Sequence, residues 1–263
     1  MKRKNVLREL LNDDKPSIGT HLHSSWPGIV EVVGHSGTMD YVEFSGEYAP
    51  YDLYSLENFG RAVDLFDHMT SMMKIDQEPR TYLATRAVGS GIQNLLFADI
   101  RGVQDTVEAV ASMRPDTPEL RGSAGAAMRR DVGYVDLRFD EYIEGLIEGV
   151  VVLMIEKRSA VEQLEEILSV KGVDMVQFGP SDYSINIGRA GDEDHPEGKA
   201  AELRTIETAL KMGVAPRVEI DDHSEAAPYI EMGVKHFCIG WDVVVMHKWC
   251  SDQGSAMAKA LGR

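Results

Sequence analysis

Cysteine is nearly absent: the 263-residue chain carries two, Cys238 and Cys250, too far apart for a CxxC pair. A disulfide framework and a thiolate zinc site are therefore both excluded. Basic residues are the minority charge, 27 Lys and Arg against 43 Asp and Glu, for a formal net charge of −16. That excess repels phosphate backbones and anionic lipid, and no basic patch offsets it, so no nucleic-acid or membrane partner is expected. Long apolar runs are missing too. The longest candidates are short stretches such as VVVLMI ending at Ile155, against the ~20 residues a membrane span requires. The start, MKRKNVLRELLNDDK, has no apolar segment of the kind a secretory signal uses, which points to a reducing, cytoplasmic compartment. What is present is a 43 % hydrophobic fraction, enough to build a full core at this length and incompatible with disorder or collagen-like repeats.

Short apolar runs alternate with amphipathic segments. The runs predict strands over Ser17–His23, Tyr41–Ser45, Met72–Asp76, Asn94–Ile100, Val150–Glu156, Asp174–Phe178, Val214–Ile220 and Lys235–Gly240. Helical spacing predicts helices over Leu56–Met69, Arg80–Gly89, Val103–Met113, Ala160–Val170, Gly198–Met212 and Ser224–Met232, several closed by a glycine. Eight β-then-α units in one chain predict a closed α/β (β/α)8 TIM barrel forming a single domain over 1–263. The competing open sheet lacks its GxGxxG fingerprint after the first strand. One segment does not fit the alternation: Pro115–Tyr134, rich in Gly, Ala and Arg, is too long for a turn. It is expected to be an oligomer or lid element, with a solvated loop as the alternative.

Chemistry in such a barrel belongs at the C-terminal ends of strands. There the chain places His21 and His23, then Ser45-Gly46-Glu47-Tyr48, Lys74, Glu156, Gly179-Pro180-Ser181-Asp182, Glu219 and Trp241-Asp242. Glu156 and Asp182 close neighbouring strands, and two carboxylates there can share a hard divalent cation, Mg2+ or Mn2+ with Co2+ as a third choice. The alternative is that each merely caps the next helix.

Several stretches together resemble the HpcH/HpaI class II pyruvate aldolases: FSGEYAP ending at Pro50, LLFADI ending at Ile100, LMIEKRSAVEQLEEIL ending at Leu168, GVDMVQFGPSDYS ending at Ser184 and GVKHFCIGWD ending at Asp242. The resemblance implies a barrel of the phosphoenolpyruvate/pyruvate type and a divalent metal on Glu156 and Asp182. It also implies a pyruvate-type 2-oxo acid donor, an aldehyde partner and a homo-oligomer, trimer or hexamer, built by exchanging the last helix. Glu47 matches the acid that supports metal-bound water. The backbone around Gly179, Ser181 and Asp182 matches the site for the pyruvate carboxylate.

Three departures mark the chain as divergent. Tyr48 stands where the family has an acid/base histidine, and Gly89 where it has that histidine's aspartate. Lys74 replaces the arginine that binds the keto group, with Arg80 as the fallback. A lysine keeps the charge but loses the bidentate fork. His23, or else His21, is expected to take over proton transfer with Tyr48 donating or orienting, against the alternative that both imidazoles only line the barrel. Arg217, Glu219 and Asp221 alternate on strand seven and imply a polar pocket for a hydroxylated or charged substrate tail, unless Arg217 and Glu219 simply satisfy each other. The reading is a metal-dependent carbon–carbon lyase. Its alternatives are a decarboxylase or hydrolase of a 2-oxo diacid at the same site, an amidohydrolase using His21, His23 and Asp242, and a catalytically silent oligomeric barrel.

Overall fold

The computed structural model describes residues 3–126, 129–134 and 139–263. Within them the apolar runs become eight parallel strands: β1 (Ser17–Leu22), β2 (Tyr41–Ser45), β3 (Thr70–Ile75), β4 (Asn94–Ile100), β5 (Val151–Ile155), β6 (Met175–Phe178), β7 (Ala215–Ile220) and β8 (His236–Trp241). They close in sequence order, β8 pairing back onto β1. Around them lie α1 (Val6–Asn12), α2 (Pro27–Ser36), α3 (Leu53–Val63), α4 (Arg80–Gly89), α5 (Val103–Ser112), α6 (Phe139–Glu148), α7 (Arg158–Glu162), α8 (Leu164–Leu168), α9 (Pro180–Asn186), α10 (Pro196–Met212), α11 (Ala227–Met232) and α12 (Asp242–Ala260). The α/β TIM barrel expected from the alternation is therefore the observed fold.

Buried on both faces, these strands read as continuous apolar runs instead of alternating ones. Their outward residues, such as Phe44, Met73, Leu95, Phe97, Leu153 and Ile155, pack against the helices in one large cluster. Their inward residues divide by position. Met72, Leu96, Val152, Met154 and Met175 fill an apolar half, closed from below by Leu7 of α1. The half lined by β7, β8, β1 and β2 carries Arg217, Glu219, His21 and Glu43 instead, beside Tyr41. Gly19 makes room for that tyrosine, because a Cβ there would stand 2.2 Å from its ring.

The helix expected over Ala160–Val170 is two short ones, α7 and α8, meeting at Gln163. The Pro115–Tyr134 segment is anchored where the strands begin. Arg129 Nη1 donates to the Thr85 carbonyl at 3.0 Å, Arg130 Nη1 to that of Ser90 at 3.3 Å, and Arg130 also pairs with Asp64. Its described part therefore cannot be a lid over the strand exits, which lie at the opposite end; Ala127 and Met128 fall outside the described residues. Among the described residues no helix is long and apolar enough to cross a membrane.

Candidate active site

Lys74 is the last inward-facing residue of β3, with its side chain inside the barrel mouth. Its ammonium lies 2.6 Å from Glu47 Oε2 and donates to the Tyr48 hydroxyl at 2.5 Å, while also covering the Tyr48 ring. Burial opposes the charge, but Tyr48, Glu47 and Glu156 outweigh it and hold the lysine firmly protonated. Tyr48 moves up to about 12, chiefly through burial and against the pull of Lys74. Its oxygen accepts from Lys74, and its phenolic proton is directed to the Glu47 carboxylate. Arg80 does not compete for this role. It is fully buried among the helices, 2.9 Å from Glu108 and 3.6 Å from Asp105.

Glu156 follows β5 directly and is buried, its Oε1 accepting the Asp99 backbone N–H at 2.7 Å. Asp99 can aim that N–H because it holds a left-handed conformation, φ 56°, where the β4–β5 register slips between Phe97 and Ile100. Such bulges re-aim groups beside active sites. Gly179, at the exit of β6, leaves a cradle for the other oxygen: a Cβ there would stand 2.6 Å from Glu156 Oε2. Burial first, then the nearby Asp182 charge, raises the Glu156 carboxyl to about 7. Asp182 lies in the first turn of α9, partly exposed, with Oδ1 3.4 Å from Lys157 Nζ. Ser181 beside it turns its hydroxyl to Glu193 at 2.5 Å.

Two hard oxygen donors crowded at one end of adjacent strands, one of them in a glycine cradle, fit a divalent cation of the Mg2+ or Mn2+ type. Among the described residues no group of three or more His, Cys, Asp and Glu side chains could hold a metal. Water and substrate oxygens would have to complete the coordination sphere of a two-carboxylate site.

Deeper in the barrel, five side chains close a ring. His21 Nδ1 meets Glu219 Oε1 at 2.9 Å and His21 Nε2 meets Glu43 Oε1; Gln177 Nε2 donates to Glu219 Oε2 at 3.0 Å; Arg217 donates to both Gln177 Oε1 and Glu43 Oε2. With each ring nitrogen against a carboxylate, His21 is an imidazolium donating twice. Burial disfavours that charge, yet Glu43 and Glu219 raise its pKa to about 9. His21 thus has neither a lone pair for general-base work nor a nitrogen for substrate, which corrects both expectations. Glu219, brought down to about 2 against burial by His21 and Arg217, keeps 37 % of its side-chain surface open.

His23 stands one layer higher, its ring 5.8 Å from that of Trp241, and its buried Nδ1 has no hydrogen-bond partner. The Trp241 indole N–H is likewise buried and unpaired, and the Tyr48 ring lies 6.1 Å away. Asp242 accepts the backbone N–H groups of His23 at 2.8 Å, Ser24 at 3.0 Å and Val243 at 2.8 Å. Its carboxylate fixes the β1 exit, and with His21 also occupied the amidohydrolase constellation does not form. Sequence reasoning missed Glu43, Gln177, Asp99 and Lys157. Only Glu43, an acid inside the apolar run YVEFS at the inward parity of β2, carried a signal.

A profile of the HpcH/HpaI aldolase/citrate lyase family matches residues 18–247. The chain belongs to that family. A 4-hydroxy-2-oxo-heptane-1,7-dioate aldolase from Shigella boydii serotype 18 is 28 % identical over 244 residues, covering 92 % of this chain and 91 % of the relative. An Escherichia coli protein of the same name matches to the same extent. Among solved structures, an HpcH/HpaI aldolase/citrate lyase family protein from Burkholderia cenocepacia J2315 superposes with a TM-score of 0.88 at 26 % identity, over 97 % of this chain and 100 % of the other. A citrate synthase named SbnG shares the fold, TM-score 0.85 at 17 % identity over 99 % of this chain and 100 % of the other.

Proposed function

We propose that the protein is a metal-dependent lyase that cleaves or forms a carbon–carbon bond between a pyruvate-type 2-oxo acid and an aldehyde. The observation that carries this reading is the setting of Glu156, buried in the cradle left by Gly179 with the Lys74 ammonium and the Asp182 carboxylate near it, at the exits of β3, β5 and β6. When bound between the carboxylates, Mg2+ or Mn2+ supplies Lewis-acid polarisation of the keto group. Lys74 donates to the same oxygen and offsets the negative charge that develops there as the bond breaks. Glu47 and Tyr48 hold that ammonium in place, and Glu47 accepts from water at the site. The backbone N–H groups of Ser181 and Asp182, in a helix's first turn and so without intrahelical acceptors, orient the substrate carboxylate beside Gly179.

His23, through its unpaired Nδ1, takes the proton of the 4-hydroxyl as the C3–C4 bond breaks and the aldehyde departs, and returns it to C3 to give the pyruvate methyl group, while Tyr48 orients the aldehyde oxygen. Glu219, the one open member of the buried ring, reads the substrate tail. A second carboxylate would be repelled there, so hydroxyl groups are the better match. The last helix, α12, leaves Val245, Met246, Trp249 and Met257 exposed, which supports an oligomer, trimer or hexamer, in which it covers another copy.

The test is to supply 4-hydroxy-2-oxo acids of differing tails with Mg2+ and to follow pyruvate release through a lactate dehydrogenase couple. Release is expected, with K74M lowering kcat about a hundredfold or more and K74R recovering part of the loss. No pyruvate from any member of the series by the Mg2+-loaded protein would overturn the proposal.

A further inference from the structure

Lys157, next to Glu156 in the chain, is almost fully buried, and its ammonium stands among carboxylates: 2.5 Å from Asp99 Oδ1 and 3.4 Å from Asp182 Oδ1. It is therefore a tethered positive charge on one of the two carboxylates assigned to the metal. Asp99 is its stronger partner, and Arg101 stands farther from Asp99 at 3.9 Å. The left-handed backbone of Asp99 ties the two functions together, since its N–H orients Glu156 while its carboxylate holds Lys157.

We propose that Lys157 is an internal counter-cation of the carboxylate pair, competing with the divalent metal for Asp182, and that Asp99 regulates the competition by drawing the ammonium away when metal enters. The proposal rests on the reading of Glu156 and Asp182 as metal ligands and adds a residue that sets how tightly they hold the ion. Two cations cannot lie on one carboxylate oxygen without repulsion, and at this burial the repulsion is only partly screened. The resting protein then holds the Asp182 carboxylate partly neutralised without metal. Metal loading costs the displacement of an ammonium from one carboxylate to another.

The test measures Mn2+ affinity from the loss of the free-ion EPR signal, with no turnover involved. Against wild type, K157M is expected to tighten Mn2+ binding about tenfold or more, since it removes the competing charge at nearly constant side-chain length. D99N, an asparagine that still tolerates the left-handed backbone, is expected to weaken binding several-fold in wild type and to change it little in the K157M background. That non-additivity is the signature of Asp99 acting through Lys157. Equal or weaker binding by K157M, or a D99N loss of the same size in both backgrounds, would overturn the inference. E156Q separates the two claims: if it leaves Mn2+ affinity intact, the metal-site reading fails with this one; if it removes binding while K157M gains nothing, only the competition fails.

Discussion

His21 shows how far a single side chain's role depends on its neighbours. An HxH pair on the first strand reads as a base or a ligand, yet Glu43 and Glu219 take both nitrogens and fix the imidazolium. The consequence is a pH-dependent share of stability. The ordinary histidine value of 6.5 applies to the unfolded chain and a value of about 9 to the folded one, so protonation favours the native state. The contribution is complete below about pH 6.5, declines through that window and is gone above about pH 9. Thermal melts of wild type and H21Q should therefore show a gap on the order of 3 kcal/mol near pH 6 that closes by about pH 9.5. A gap constant across that range would show that His21 is not charged in the fold. Of the candidate site, the strand-exit residues Lys74, Glu156 and Asp182 were legible because barrel geometry says where to look. The partner of His21 was not, because nothing in its own neighbourhood names Glu43, which lies a strand away.

At the scale of elements, the strands were legible nearly to the residue. Burial on both faces demands unbroken apolar runs such as VVLMI in β5, and a run of that length is too short to be a helix core. Helices that the core does not stripe were lost. The first helix, Val6–Asn12, buries one residue, Leu7, and α9 begins inside the GPSD turn, where Pro180 reads as a break. The last helix failed for a different reason. Asp242–Ala260 has no buried residue, and its large apolar residues Val243–Met246 and Trp249 stay exposed among the described residues. Periodicity against one's own core is the signal for a helix, and a helix that serves a neighbour lacks it. If α12 covers a second copy, W249D should lower the assembly mass in analytical ultracentrifugation. A wild-type protein that sediments as a monomer at micromolar concentration would contradict that assignment.

For the molecule as a whole, the barrel is divided in its interior. One half is apolar and closed by α1; the other carries a self-satisfied ring of Arg217, Glu43, His21, Glu219 and Gln177, and chemistry is left to the rim above both. Buried charges persist where every one is paired, and this ring balances two carboxylates against a guanidinium and an imidazolium. It gives the mouth a rigid polar floor, on which Lys74 faces Glu156. Tyr48 and Gly89 stand where the resemblance expects the family's acid/base pair, and the proposed function has enolate chemistry survive without that pair. The most direct measurement is exchange of the pyruvate methyl protons in D2O, followed by NMR with Mg2+, again with chelator, and with E156Q. The account predicts loss of the methyl signal that requires both the metal and Glu156. An unchanged methyl signal with Mg2+ bound, or exchange that persists in chelator, would contradict it.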